Sequence, residues 1–382
     1  MNVAQQHRAL AVGTAVITAV LAGLVWWLLA GRHESTVVEP GAGFAPAGTL
    51  GFLLEPSTRW RHATGDFDVQ VITNSLGLRG PEVVVPKPPD RYRVLALGDS
   101  FTFGWGVEFD DAWYAGMARE LQATGDRSME VVVAGVPGWS PLQQFVFLEQ
   151  RGLDLQPDLV LWQLCTNDLL EMERLDVEID ARRLPVAVAA EPPLSAGLRK
   201  DWLVLFEQLD EGERQRVLAE YRAGRIDPVL VEIARAADAA RRGQAGAAPE
   251  GKVAELPVEE VLRGLRSGPD FGVRYVDHMV SATRSLCAER GTALRLMVAQ
   301  ARPMPRRAGE PDDGIAALRA WAAHQSPRVL DIADLLPDGP ADGYFFSNDP
   351  HWAPAAHPLV AQAVARWLAD DPELGLSLAP AR

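Results

Sequence analysis

Three short stretches constrain this chain more than any other feature. Arg93–Gly98, Met129–Gly135 and Asp158–Leu164 are almost continuously apolar, and each stops at a turn signal. A strand with one face in water alternates apolar and polar residues. A run without that alternation reads as a strand covered on both faces, as in a parallel sheet flanked by helices. Two further runs, Ala293–Ala299 and Arg328–Ile332, bring the set to five. Helical stretches are expected at 110–123, 140–151, 273–290, 314–324 and 355–369. Alternating strand and helix predict an α/β chain, a three-layer α/β/α sandwich around a five-stranded parallel sheet.

The third and fourth strands are separated by far more chain than a βα connection needs. Residues of roughly 170–270 are therefore read as an insertion beside the sheet, and its internal signals are helical. Asp227 and Pro228 suit the N-cap and first position of a helix whose Leu230, Ile233, Ala234 and Ala237 share a face. Gly243 can end it, and Pro257 starts another short helix.

The amino terminus is a separate matter. Ala9–Ala30 is an uncharged run of 22 residues. As a helix rising about 1.5 Å per residue it would span roughly 33 Å, enough for a bilayer core. A cleaved signal peptide has a shorter apolar core, about 7–15 residues, and a small-x-small site. Leu28-Leu29-Ala30 is a poor match to that, so residues 1–30 are expected to be an uncleaved transmembrane anchor. Trp26 and Trp27 suit its interfacial end, and the slight positive-inside bias puts the body outside the cytoplasm. Residues 31–50, rich in Gly, Pro and Ala, read as a flexible tether, leaving 51–382 as the domain.

A formal net charge of −14 argues against a nucleic-acid partner, since phosphate binding requires a positive surface. Cys165 and Cys287 offer neither a disulfide framework nor zinc spacing and are read as buried thiols. No phosphate loop, dinucleotide fingerprint or metal-ligand cluster is present in the sequence, so no cofactor is expected. Protein partners are not indicated.

What the strands carry at their carboxyl ends is more specific. Strand one runs into Gly98-Asp99-Ser100, which puts a serine hydroxyl at the crevice where open α/β sheets bind ligands. Strand two leads to Gly138, which allows a backbone N–H to approach a ligand closely. Strand three leads to Asn167, a neutral amide donor. After strand five comes Asp349-Pro350-His351-Trp352. Ester cleavage needs a nucleophile, a base, a group to orient the base and donors for the oxyanion. Ser100, His351 and Asp349 would fill the first three roles, and the Ser100 N–H, the Gly138 N–H and the Asn167 amide the last. Each has a bland reading too. Asp349 would serve as cap for a helix beginning near Pro354, Asp168 as a structural cap, and His357 as a packed helix residue rather than a rival base. Trp105, Trp139 and Trp352, beside the motif residues, suit either sugar stacking as substrate-binding residues or core packing.

With these blocks in place, the sequence resembles the SGNH (GDSL) hydrolase family over roughly residues 70–170 and 290–370. The resemblance implies a flavodoxin-like fold, with Ser100 as nucleophile, Gly138 and Asn167 as oxyanion donors, and Asp349 and His351 completing the triad. Two positions depart from the family pattern. Cys165 stands where the third block commonly has glycine, and one residue rather than two separates Asp349 from His351. The Asp-x-His-Trp form is similar to that of proteins that acetylate or deacetylate bacterial exopolysaccharides, including alginate O-acetylation proteins.

Three functions fit this reading. One is a membrane-anchored serine esterase acting on an acyl group of a small molecule or an extracytoplasmic polysaccharide. The second is an O-acyltransferase using the same site, and the third a catalytically silent envelope scaffold.

Overall fold

A computed structural model describes residues 43–165, 168–172, 175–190, 250–300, 315–325, 328–332, 335–336, 343–347 and 349–380. The anchor expected at 1–30 lies outside the described residues. Among the described residues, no helix is long and apolar enough to cross a membrane.

The five apolar runs form five parallel strands: β1 Arg91–Gly98, β2 Ser128–Gly135, β3 Leu159–Cys165, β4 Ala293–Ala299 and β5 Val329–Asp331. Their order across the sheet is β2-β1-β3-β4-β5. Register aligns the strand ends, with Gly98 opposite Gly135 and Cys165 opposite Ala299. Because the order changes direction between β1 and β3, the crevice beyond their carboxyl ends is the ligand position of such a sheet.

The near-continuous apolarity of the strands now has its cause. Leu95, Leu97, Val132, Ala134, Val160, Trp162, Leu296 and Val298 pack into one core. It also holds buried residues of α3 Pro141–Phe147, α6 Pro269–Glu289 and α7 Ile315–Gln325. Their neighbours Val94, Ala96, Val133, Leu159, Leu161, Met297 and Ala299 pack into a second core with α2 Trp113–Glu120 and α8 Ala356–Ala369. Two cores on opposite faces make three layers. The remaining helices are α1 Ser100–Phe103, α4 Asp168–Met172 and α5 Val258–Gly264.

Some boundaries differ from the sequence reading. The helix expected at 110–123 stops at Glu120, and Leu121–Ala123 is extended, pairing antiparallel with Leu376–Leu378. Leu121 and Ala123 both point inward while Gln122 is exposed, an alternation of period two that only a strand can satisfy. The tether reading of 31–50 meets structure at its end. Phe44–Pro46 pairs with Phe52–Leu54, and Leu50, Phe52 and Leu54 are buried in the first core.

The insertion is helical only in part. It opens with an antiparallel hairpin, Asp176–Ile179 against Pro185–Ala189, whose turn is closed by Asp180 accepting from the Arg182 and Leu184 N–H groups. After Pro257 comes α5, as expected. The helix read over 227–243 lies outside the described residues. Both cysteines are buried, and they are not joined in a disulfide.

Candidate active site

The nucleophile candidate sits where β1 ends. Asp99 closes the turn, its Oδ1 accepting from the Phe101 N–H at 2.9 Å, and Ser100 is the first residue of the one-turn helix α1. The first N–H groups of a helix have no intrahelical acceptor, which leaves the Ser100 N–H available. The turn lies hard against the sheet. A Cβ on Gly135 would come within 2.3 Å of the Phe103 backbone nitrogen, so only glycine permits this seat. Thr102 Oγ1 donates to Gln163 Oε1 of β3 at 2.7 Å, tying α1 to its other neighbour.

The loop leaving α1 is held by a residue that sequence reasoning missed. Arg79 is buried, and its guanidinium donates to the carbonyls of Phe103 and Gly104 (2.7 and 2.8 Å) and of Val107 (2.6 Å). It also lies over the Phe103 ring at 4.6 Å. In the sequence, Asn74–Gly80 reads only as a turn leading towards the core. Charged residues are rarely buried unless paired, and carbonyl partners leave no mark in sequence.

The late block is a tight loop closed by backbone bonds, Phe346 N–H to the His351 carbonyl at 3.1 Å and Ala353 N–H to the Tyr344 carbonyl at 2.8 Å. It brings His351 Nε2 to 2.6 Å from Ser100 Oγ. His351 Nδ1 lies 2.5 Å from Asp349 Oδ1, which also accepts the His351 backbone N–H at 2.9 Å. Asp349 Oδ2 accepts the indole N–H of Trp105 at 3.0 Å. Burial pushes the Asp349 carboxyl up, but the bonds from His351 and Trp105 outweigh it and hold it below the ordinary carboxylate range. The helix-cap reading of Asp349 is excluded, because α8 starts at Ala356 behind Ala355 with no side-chain cap. In this network the imidazole carries its proton on Nδ1, facing the carboxylate, and presents Nε2 as acceptor to the Ser100 hydroxyl.

The remaining expectations divide. Val136-Pro137-Gly138-Trp139 has the makeup of a type II turn, with Gly138 at φ +80° and Trp139 N–H donating to the Val136 carbonyl at 3.0 Å. That bond leaves the Gly138 N–H outside the turn's own pairing. Val136 N–H in turn reaches the Gly98 carbonyl, so this loop emerges beside the one bearing Ser100. Asn167 lies outside the described residues. Its neighbour Asp168 is the first residue of α4, and its Oδ2 accepts from the Cys165 N–H at 2.6 Å, tying the helix start back to the end of β3. His357 is buried in α8 and accepts the Trp113 N–H on Nδ1.

The three tryptophans, open between sugar stacking and core packing, have different surroundings. Trp139 and Trp352 are almost wholly buried, their indole N–H groups donating to the carbonyls of Phe52 and Gln300, so neither offers a face to a sugar. Only Trp105 is partly exposed, and its ring is stacked on His351 at 5.1 Å and 25°. Behind it stands a hairpin, Arg59–Ala63 paired with Asp68–Ile72. His62, at the end of its first strand, meets the Trp105 ring edge-on at 4.3 Å. Burial first, and the Arg79 charge second, lower the His62 pKa to about 4, so this imidazole is neutral.

A model of the GDSL-like lipase/acylhydrolase family matches residues 96–361. Among solved structures, the chain is similar to a lipase from a goat rumen metagenome, with 13% identity, 72% of this chain and 96% of that one covered, and a TM-score of 0.37. It is also similar to a catalytic mutant of an acetylxylan esterase from Geobacillus stearothermophilus (10%, 72% and 93%, TM-score 0.36). A third similarity is to an alpha/beta hydrolase enzyme from the metagenome of Lake Arreo, Spain (13%, 72% and 94%, TM-score 0.36). Compared with curated proteins, the sequence has no match.

Proposed function

This chain belongs to the GDSL-like lipase/acylhydrolase family and is an SGNH-type ester-hydrolysing enzyme, and from that premise we propose a Ser100–His351–Asp349 triad as its catalytic machinery. The observation that carries the reading is the unbroken line from Ser100 Oγ to His351 Nε2, and from His351 Nδ1 to Asp349 Oδ1, at 2.6 and 2.5 Å. Ser100 Oγ attacks the acyl carbon and its proton passes to Nε2. Asp349 orients the ring and stabilises the imidazolium. Negative charge on the former carbonyl oxygen is met by the N–H groups of Ser100 and Gly138, and by the Asn167 amide in the family pattern. Nε2 returns the proton to the departing alcohol. A second alcohol or water then attacks the acyl-enzyme under the same base.

For the substrate we propose an O-acyl group, acetyl above all, on a polysaccharide outside the cytoplasm, reached by a body held at the membrane through residues 9–30. The uncharged run and the Asp-x-His-Trp block support this reading. That same block favours a second acceptor, a sugar hydroxyl in place of water, which would make the enzyme an O-acyltransferase. A silent scaffold has no need of three residues in hydrogen-bonded line.

The test is incubation of the full chain with p-nitrophenyl acetate, with and without oligosaccharide acceptors. Nitrophenol release with free acetate supports the hydrolase, and acetylated sugar the transferase. Release that persists unchanged in Ser100→Ala would overturn the site.

A further inference from the structure

We propose that Trp105 is a positioning residue of the triad, locking the carboxylate and the imidazole together from the loop that bears the nucleophile; this rests on the triad reading above. A carboxylate joined to its histidine through a single intervening residue can still rotate about its last torsion. The His351 contacts engage only Oδ1, and rotation would carry that oxygen away from the ring. Trp105 supplies the missing constraint, because its indole N–H holds Oδ2 at 3.0 Å. Two oxygens bonded from two directions fix the carboxylate plane.

The same ring acts on the imidazole. The Trp105 ring is stacked on that of His351, and the Phe101 ring lies tilted against it with centroids 4.7 Å apart. The ring that becomes positive during proton transfer therefore sits against an aromatic face, a contact that strengthens as the charge develops.

The placement of Trp105 is itself tied to the nucleophile. Its backbone N–H donates to the Ser100 carbonyl at 3.1 Å, so only four residues of chain separate the residue that attacks from the one that holds the acid. From outside, His62 abuts the indole edge, and Phe67 stands 6.2 Å from it and against Phe346. His62 and Phe67 come from a hairpin that precedes the family-matched segment beginning at residue 96.

The experiment is a kinetic cycle on the full chain with p-nitrophenyl acetate, using Trp105→Phe, Asp349→Ala and the double variant, with Ser100→Ala in parallel. Phenylalanine keeps an aromatic face and removes the N–H. Trp105→Phe is expected to lower kcat about ten- to a hundredfold with KM unchanged, as for loss of a hydrogen bond to a charged group. In the Asp349→Ala background the same substitution should cost almost nothing, because the oxygen it bonds is already gone. Equal fractional losses in both backgrounds, a change in KM alone, or full activity would overturn the proposal.

A second measurement does not depend on the Trp105 variant folding. In ¹⁵N-tryptophan-labelled protein, Asp349→Ala should shift one of the eleven indole N–H resonances upfield, and a spectrum with none displaced would refute the bond. Activity retained in Ser100→Ala would sink the triad instead, an outcome distinct from any of these.

Discussion

Pro350 sets the question at Asp349. Its ring restricts the preceding residue to extended conformations, which can aim the carboxylate at the imidazole or away from it. The carboxylate lies on His351, 2.5 Å from Nδ1, and takes no part in capping α8. A complete triad is therefore expected to be sensitive to the oriented charge. Asp349→Asn should lower kcat by about 10⁴, as expected when the imidazole is held in the wrong tautomer. The melting temperature should move little. Retained activity with a fall in melting temperature would mean that the residue is structural and the enzyme a Ser-His dyad. Ser100→Ala should abolish both turnover and labelling by a fluorophosphonate while the fold persists. Label remaining on that variant would place the nucleophile elsewhere.

At the scale of elements, the turn bearing Ser100 is only four residues long and cannot hold its own shape. Arg79, from the strand-turn region before β1, fastens it by three carbonyl bonds. Arg79→Met keeps much of the buried volume and strands those three acceptors. At about 1–3 kcal/mol for each buried group left unsatisfied, the loss is a large share of the roughly 5–15 kcal/mol that holds a domain together. A urea melt should show a clearly lower midpoint with similar slope. An unchanged midpoint would mean that water takes over all three bonds.

The same elements show why sequence disclosed some parts and concealed others. The five strands announced themselves because burial on both faces removes polar residues from a run, and all five appear within about two residues of their expected ends. The hairpins at 59–72 and 176–189 are built from strands of only four or five residues, and the brief alternation of Asp68–Ile72 or the apolar run Pro185–Ala189 is too short to set a strand apart from loop or helix. Ser100, Asp349 and His351 were legible because chemistry limits those positions to few residue types. Trp139 and Trp352 stayed open between sugar stacking and core packing for the converse reason. Adjacency to a motif says nothing about which way an indole points, and both point into the core.

For the molecule as a whole, the two depressed histidines govern stability in acid. His62 and His357 are both lowered from 6.5 to about 4, burial being the main cause. Above pH 6.5 they are neutral folded or unfolded and contribute nothing to the pH dependence. Between pH 6.5 and about 4 the unfolded chain binds protons that the folded chain refuses, so stability falls as pH falls. Below 4 that loss is complete. The carboxylates of Asp349, Asp158 and Asp371 follow. Their folded values lie below the ordinary 3.8, so their contribution is present above it and disappears as pH drops through the lower values. Relief of repulsion in a chain of net charge −14, as it nears its pI of about 5.0, acts in the opposite direction over the first window. Comparison with a variant separates the two effects, because the global charge term is nearly common to both proteins. His357→Gln retains an acceptor for the Trp113 N–H and removes the titrating ring. Its unfolding free energy, from urea melts at pH 7.5, 6.0, 5.0 and 4.5, should fall less steeply than the parent's, by up to about 1.4 kcal/mol per pH unit for one proton. Parallel curves for the two proteins would mean that His357 takes up its proton in the folded state and that its burial leaves it unperturbed.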